Sequence, residues 1–186
     1  MRTPRRAVIA ALLVLCWGSL AGAAGEYPMK LSLNAQLKAA ATTVSSTVTI
    51  AVERLMEESR RTRVTDGLKF NGYAGALKVL RSLPPVGTIE VSGRPVDIKF
   101  AHEQPNKDGF RLVLVADQPL FFLSGDASKS KAGYELTIVD LQVGAKGEIT
   151  GTMTGAARVK PGPDGVPILD DFAVAPVKLE GNLRRP

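Results

Sequence analysis

Hydrophobic and polar residues alternate strictly from Met29 to Lys38. Met29, Leu31, Leu33, Ala35 and Leu37 share one face, and Lys30, Ser32, Asn34, Gln36 and Lys38 share the other. A period of two with one apolar side predicts a half-buried β-strand. Val44 to Glu53 repeats the pattern, with Val44, Ser46, Val48, Ile50 and Val52 inward. Its β-branched and small residues suit a strand as well.

The period then changes. Residues 53–66 carry Glu53, Arg54, Glu57, Glu58, Arg60, Arg61, Arg63 and Asp66. Arg54 with Glu58 and Glu57 with Arg61 have the i,i+4 spacing of a short helix; a long strand end and loop is the competing reading. The mixed signs favour a solvated, self-paired surface over an anion-binding patch. Asp66 to Leu83 carries the clearest helical signal. Phe70, Tyr73, Ala74, Leu77 and Leu80 form one apolar stripe that reads as core. Asp66 is placed to cap the N-terminus, Lys78 and Arg81 complement the dipole near the end, and Pro84-Pro85 stops the helix. Gly72 and Gly75 each cost about 1 kcal/mol relative to alanine, and they permit close approach to a sheet.

A meander is predicted beyond the helix. Gly87, Ile89 and Val91 face one way, Ser92-Gly93 makes a tight turn, and Val96, Ile98 and Phe100 continue the apolar face. Residues 104–109 read as a loop. Phe110 to Ala116 is nearly continuously apolar, as in a strand covered on both faces. Asp117-Gln118-Pro119 turns the chain into Leu120-Phe121-Phe122-Leu123, a short buried strand or an apolar edge, and residues 124–133 follow as a polar loop. From Tyr134 to Val143 the inward parity shifts from Tyr134, Leu136 and Ile138 to Val139, Leu141 and Val143, which one bulge residue would explain. Residues 148–160 alternate without a break, with Ile149, Gly151, Met153, Gly155, Ala157 and Val159 on one face. Ile168 to Leu183 supplies a last strand, where Pro176 marks an edge or a bulge. The expected fold is mainly β: an antiparallel sandwich or up-and-down barrel of about eight strands. One α-helix, inserted after the second strand, covers a face or an open end.

The first 23 residues change what the composition means. Arg2, Arg5 and Arg6 precede an uncharged, mostly apolar run from Ala7 to Leu20, and Ala21-Gly22-Ala23 provides small residues for cleavage. This is the pattern of a secretion signal. The run is shorter than the ~20 residues a membrane-spanning helix needs. Arg5-Arg6 only partly matches a twin-arginine signal, so general secretion is the expected route. Leu15 before Cys16, with apolar residues continuing past it, argues against lipidation there. Residues 24–186 then form a single domain, placed in the periplasm or outside the cell with no transmembrane anchor after cleavage. Of the net charge of +6, three positive charges belong to the signal, which leaves about +3. With interspersed acids and only 5% aromatic residues, the chain lacks the concentrated basic face or stacking platform of a nucleic-acid binder. Cys16 is the only cysteine, so the exported domain has no thiol, no disulfide and no cysteine-ligated metal.

Candidate chemistry is sparse. His102 is the only histidine; it is a general base or a rim residue, and one imidazole cannot build a histidine metal cage. Ser124 lacks a nucleophile elbow. Asp140 lies within a strand. Asp170 and Asp171, as neighbours on a strand, point to opposite faces and cannot pair with each other. Asp164-Gly165 lacks the further oxygens of a calcium loop. No phosphate-cradling glycine loop is present, and no cofactor is expected. Gly151, Gly155 and Ala157 leave room beside Met153, filled either by the helix or by an apolar ligand in a small barrel.

The segments Val64–Tyr73, Arg111–Leu123, Gly151–Lys160 and Leu169–Ala173 resemble an uncharacterised group of exported bacterial proteins, over roughly residues 29–180. The resemblance implies export and a single domain, and carries no activity. The functional expectation is an exported, non-catalytic β module that binds a small apolar ligand or a cell-envelope partner. The alternatives are a carboxylate-dependent hydrolase acting on glycans, and a surface interaction protein that presents Leu120–Leu123 as an exposed apolar patch.

Overall fold

The structure is a computed structural model that describes residues 25–39, 42–122 and 131–183. The proposed signal, Leu123 and Ser124 lie outside the described residues. Among the described residues, nine strands and one helix follow in chain order: β1 (Met29–Ala39), β2 (Thr42–Val52), α1 (Glu58–Ser82), β3 (Gly87–Val91), β4 (Arg94–Asn106), β5 (Gly109–Ala116), β6 (Leu136–Gly144), β7 (Glu148–Pro161), β8 (Pro167–Phe172) and β9 (Val177–Asn182).

Every strand pairs antiparallel. Hydrogen bonding runs β6-β5-β4-β3-β2-β1-β9-β7, and β7 returns to β6, closing an eight-stranded barrel with β8 outside it. Of the two expected architectures, the chain adopts the up-and-down barrel. The closing seam pairs Asn34, Ala35 and Gln36 of β1 with Glu180, Leu179 and Lys178 of β9. β8 and β9 run along the same edge of β7, β8 beside its second half and β9 beside its first. They are two pieces of the final predicted strand, and Pro176 lies in the gap between them. The β3–β4 connection is a two-residue turn in which Ser92 and Gly93 both take positive φ, 52° and 75°, the turn that matches strand twist.

Two apolar clusters result. The first fills the barrel with Leu31, Leu33, Ile50, Ile89, Ile98, Phe110, Leu112, Leu114, Leu141, Met153, Leu179 and their neighbours. The second lies between α1 and the outer face of β4 to β7, and includes Val64, Leu68, Leu77 and Leu80 against Phe100, Val113, Val115, Leu136, Ile138, Ala157 and Val159. β5 is therefore buried on both faces, as its continuous apolar run implies.

Two bulges, and the absence of a third, correct expectations about which way side chains point. The β4–β5 register shifts between Ile98 and Phe100, so Ile98 enters the barrel and Phe100 turns out beneath α1. In β6, Leu136 and Ile138 face the helix while Val139, Leu141 and Val143 face the barrel. That strand alternates normally, and the apparent parity shift arises because both of its faces are covered. The irregularity sits in β7, where Leu136 pairs with Ala157 but Ile138 with Thr154, which leaves one extra residue on β7. An extra residue reverses the facing of everything after it. Ile149 and Met153 thus fill the barrel, whereas Ala157 and Val159 pack under α1, and the expected unbroken face is split. The predicted loop at 104–109 is also narrower, since β4 extends through Pro105 to Asn106.

The helix differs from expectation at both ends of its argument. It starts at Glu58, its N-cap Glu57 makes no side-chain capping bond, and Asp66 lies inside it. At Gly72 the backbone takes φ 64° and ψ −161°, a conformation essentially limited to glycine, and the chain folds back. A Cβ on Gly67 would lie 3.3 Å from Val79 Cγ2, whereas the same residues on a straight helix would be roughly 18 Å apart. α1 is thus a helical hairpin of two arms, and its glycines serve arm-to-arm approach: a Cβ on Gly75 would lie 2.8 Å from the Gly67 carbonyl oxygen. The break resets the helical phase. Leu77 and Leu80 stay buried, Ala74 is exposed, and Phe70 leaves the predicted stripe for solvent at 80% exposure.

Candidate functional site

The polar residues of interest gather on the outer face of the barrel, at the border of the layer that α1 covers. Strand register places His102, Val113, Asp140 and Thr152 in one row across β4 to β7, with Gln104, Arg111, Gln142 and Thr150 in the next. Arg111 reaches diagonally to Asp140, donating from Nε at 2.9 Å and from Nη2 at 2.6 Å. This two-pronged bond holds the guanidinium pKa up, against a smaller opposing effect of burial. Arg111 also donates to Gln104 Oε1 at 3.3 Å, and Gln104 donates to Asp164 at 3.0 Å. Asp164 arrives on the β7–β8 turn, which Thr65 of α1 pins by donating its hydroxyl to the Gly165 carbonyl.

His102 stands at the edge of this network, its ring 6.4 Å from that of Phe100. Burial lowers its pKa and Arg61 lowers it further, while Glu58 and Asp164 pull the other way. The surroundings thus favour the neutral form of the imidazole. The charged stretch before it is partly self-paired, Arg54 with Glu53 and, at i,i+3 spacing, Glu57 with Arg60 and Glu58 with Arg61, while Arg63 and Asp66 are in no ion pair among the described residues. The i,i+4 pairs expected from the sequence are not the ones formed.

The carboxylates singled out in the sequence are each engaged separately. Both Asp140 oxygens accept from Arg111. A register shift in β8 leaves Asp170 without a cross-strand partner, and it lies 3.7 Å from Arg158 and 3.2 Å from Lys160. Asp171 instead accepts from the Tyr134 hydroxyl, which holds its pKa down. The two neighbouring aspartates thus find different partners, with Asp170 standing at the bulge. Among the described residues no group of three or more histidines, cysteines, aspartates or glutamates can hold a metal ion.

The space expected beside Met153 is taken up by the chain itself. A Cβ on Gly155 would lie 1.6 Å from the Leu120 carbonyl oxygen, and Leu120 N–H donates to Gly155 O at 2.8 Å. Leu120 and Phe122 are 3% and 7% exposed and belong to the barrel core, while Phe121 is half-buried, so the described part of this segment is not an exposed apolar patch. Two features are not legible in the sequence pattern. Arg111, the one charged residue in the apolar β5 run, is the hub of the network. Phe70 reads as core because it fits a helical stripe, and only Gly72 signals that the stripe is broken. No protein-family model, curated protein or solved structure matches the chain.

Proposed function

We propose that this protein is an exported, non-catalytic β-barrel module that recognises a cell-envelope partner through its outer surface. The observation that carries this reading is the filled barrel. Phe110, Leu112, Leu114, Leu141 and Met153, with Leu31, Leu33 and Ile50 opposite, occupy the interior with essentially no exposure. An eight-stranded barrel is just wide enough for side chains to fill, and this one spends that space on its own core. An apolar ligand would have to displace close-packed side chains, so recognition falls to the outside. The engagement of Asp140, Asp170 and Asp171 by separate partners supports binding over acid–base chemistry. Export rests on the signal pattern at residues 1–23, and no helix among the described residues is long and apolar enough to cross a membrane.

Native mass spectrometry of protein purified from the periplasm, with titration by a fluorescent apolar probe, tests the reading. The protein should fly at its own mass and take up no probe stoichiometrically. A co-purifying apolar molecule, or one probe bound per chain, would overturn it.

A further inference from the structure

The helical hairpin carries an unexplained cost, because its phenylalanine is 80% exposed. Gly72 fixes the turn and Phe70 sits beside it, 80% exposed. Both arms bury their apolar residues against the barrel and leave their exposed residues on the solvent side, with Arg81 also within electrostatic reach of Glu135 and Asp117. From Ser59 to Ser82 the exposed charges are Arg63, Lys69, Lys78 and Arg81 against the single acid Asp66. None of these five is in an ion pair among the described residues. The other arginines of the first arm, Arg60 and Arg61, are paired with Glu57 and Glu58. At the base of the tip Tyr73 donates to Glu135, which turns that acid toward the protein.

From this arrangement we infer that the outer face of α1 docks on an anionic phospholipid surface, with Phe70 as the inserted residue. The inference rests on the surface-recognition reading above and names its partner class. A basic surface attracts anionic headgroups, and an exposed aromatic beside it enters the headgroup–acyl boundary as interfacial helices do. An exposed Phe70 next to Lys69 suits a deformable lipid surface better than a protein partner, which would need a matching pocket.

Sedimentation of the exported domain with vesicles tests this. It should bind vesicles of equimolar phosphatidylglycerol and phosphatidylcholine, fail to bind pure phosphatidylcholine, and release as salt rises. Phe70→Ser should weaken partitioning about tenfold, and Lys69→Glu with Lys78→Glu should weaken it at least ~tenfold. All of these positions are exposed, so the melting temperature should stay unchanged. No binding to anionic vesicles, or binding that both variants retain, overturns the lipid assignment. The filled-barrel reading would survive that result, because its own test concerns the interior and not α1.

Discussion

The barrel interior and the helical layer outside it are both apolar cores, but they are held together differently. Interior residues sit on strands whose neighbours hydrogen-bond them around a closed ring. The outer layer is a hairpin of two short arms joined at one glycine and fastened to the barrel by side-chain packing and a few polar contacts, such as Thr65 to Gly165. The sequence patterns differ to match. β1 alternates because only its inner face is covered, whereas β5 is continuously apolar because Val113 and Val115 are buried beneath α1 while Leu112 and Leu114 fill the barrel. A closed hydrogen-bonded core unfolds as one unit, while an appended layer can open first.

The largest effect that separates them comes from side-chain truncation. Phe110→Ala should cost about 3–5 kcal/mol and lower hydrogen-exchange protection across all barrel strands. Leu80→Ala should cost roughly 2–5 kcal/mol, with lost protection concentrated in α1. Denaturant unfolding with amide exchange measures both, and identical exchange patterns would show that the two cores are a single cooperative unit. A smaller effect follows at the joint. Gly72→Ala forces a side chain into a glycine-only conformation at a cost of order 1–3 kcal/mol, and it should loosen α1 while the barrel strands keep their protection. Unchanged protection in α1 would mean that the turn is not what holds the arms together.

The smallest effect lies just past the end of β5. Asp117 is 9% exposed, and its Oδ1 has no hydrogen-bond partner in the structure. Burial pushes its pKa up and Asp97 adds to the rise, while Lys99 and Arg81 oppose it. The folded chain therefore holds this proton more tightly than the unfolded chain. That contribution to stability is full below the ordinary aspartate pKa of about 3.9 and is lost as pH rises through the elevated value. Asp117→Asn should flatten this part of the profile of melting temperature against pH. A profile that keeps the wild-type slope would assign the titration to another group.

Strand positions were legible because burial on one face writes a period of two directly into the chain, as in β1 and β2. The meander and the inserted helix followed from that pattern and from turn residues such as Ser92-Gly93. Bulges were not legible at Ile98–Phe100 or in β7, because an extra residue reverses facing without altering residue type. The candidate site was visible only in pieces. His102, Asp140 and Asp164 lie far apart along the chain, and the register of β4 to β6 and the reach of the β7–β8 turn bring them to one network around Arg111.

The amino-acid sequence by itself determined that strands dominate, that one helical segment follows β2, and that β5 is covered twice, since each is a local consequence of which side chains must avoid water. Tertiary structure alone decided that the sheet closes through β9 onto β1, that the barrel fills itself, and that the helix folds back at Gly72 to leave Phe70 in solvent. Closure depends on pairing between strands at opposite ends of the chain. The fate of Phe70 depends on a backbone reversal that resets the helical phase. Neither is contained in the period of any single segment.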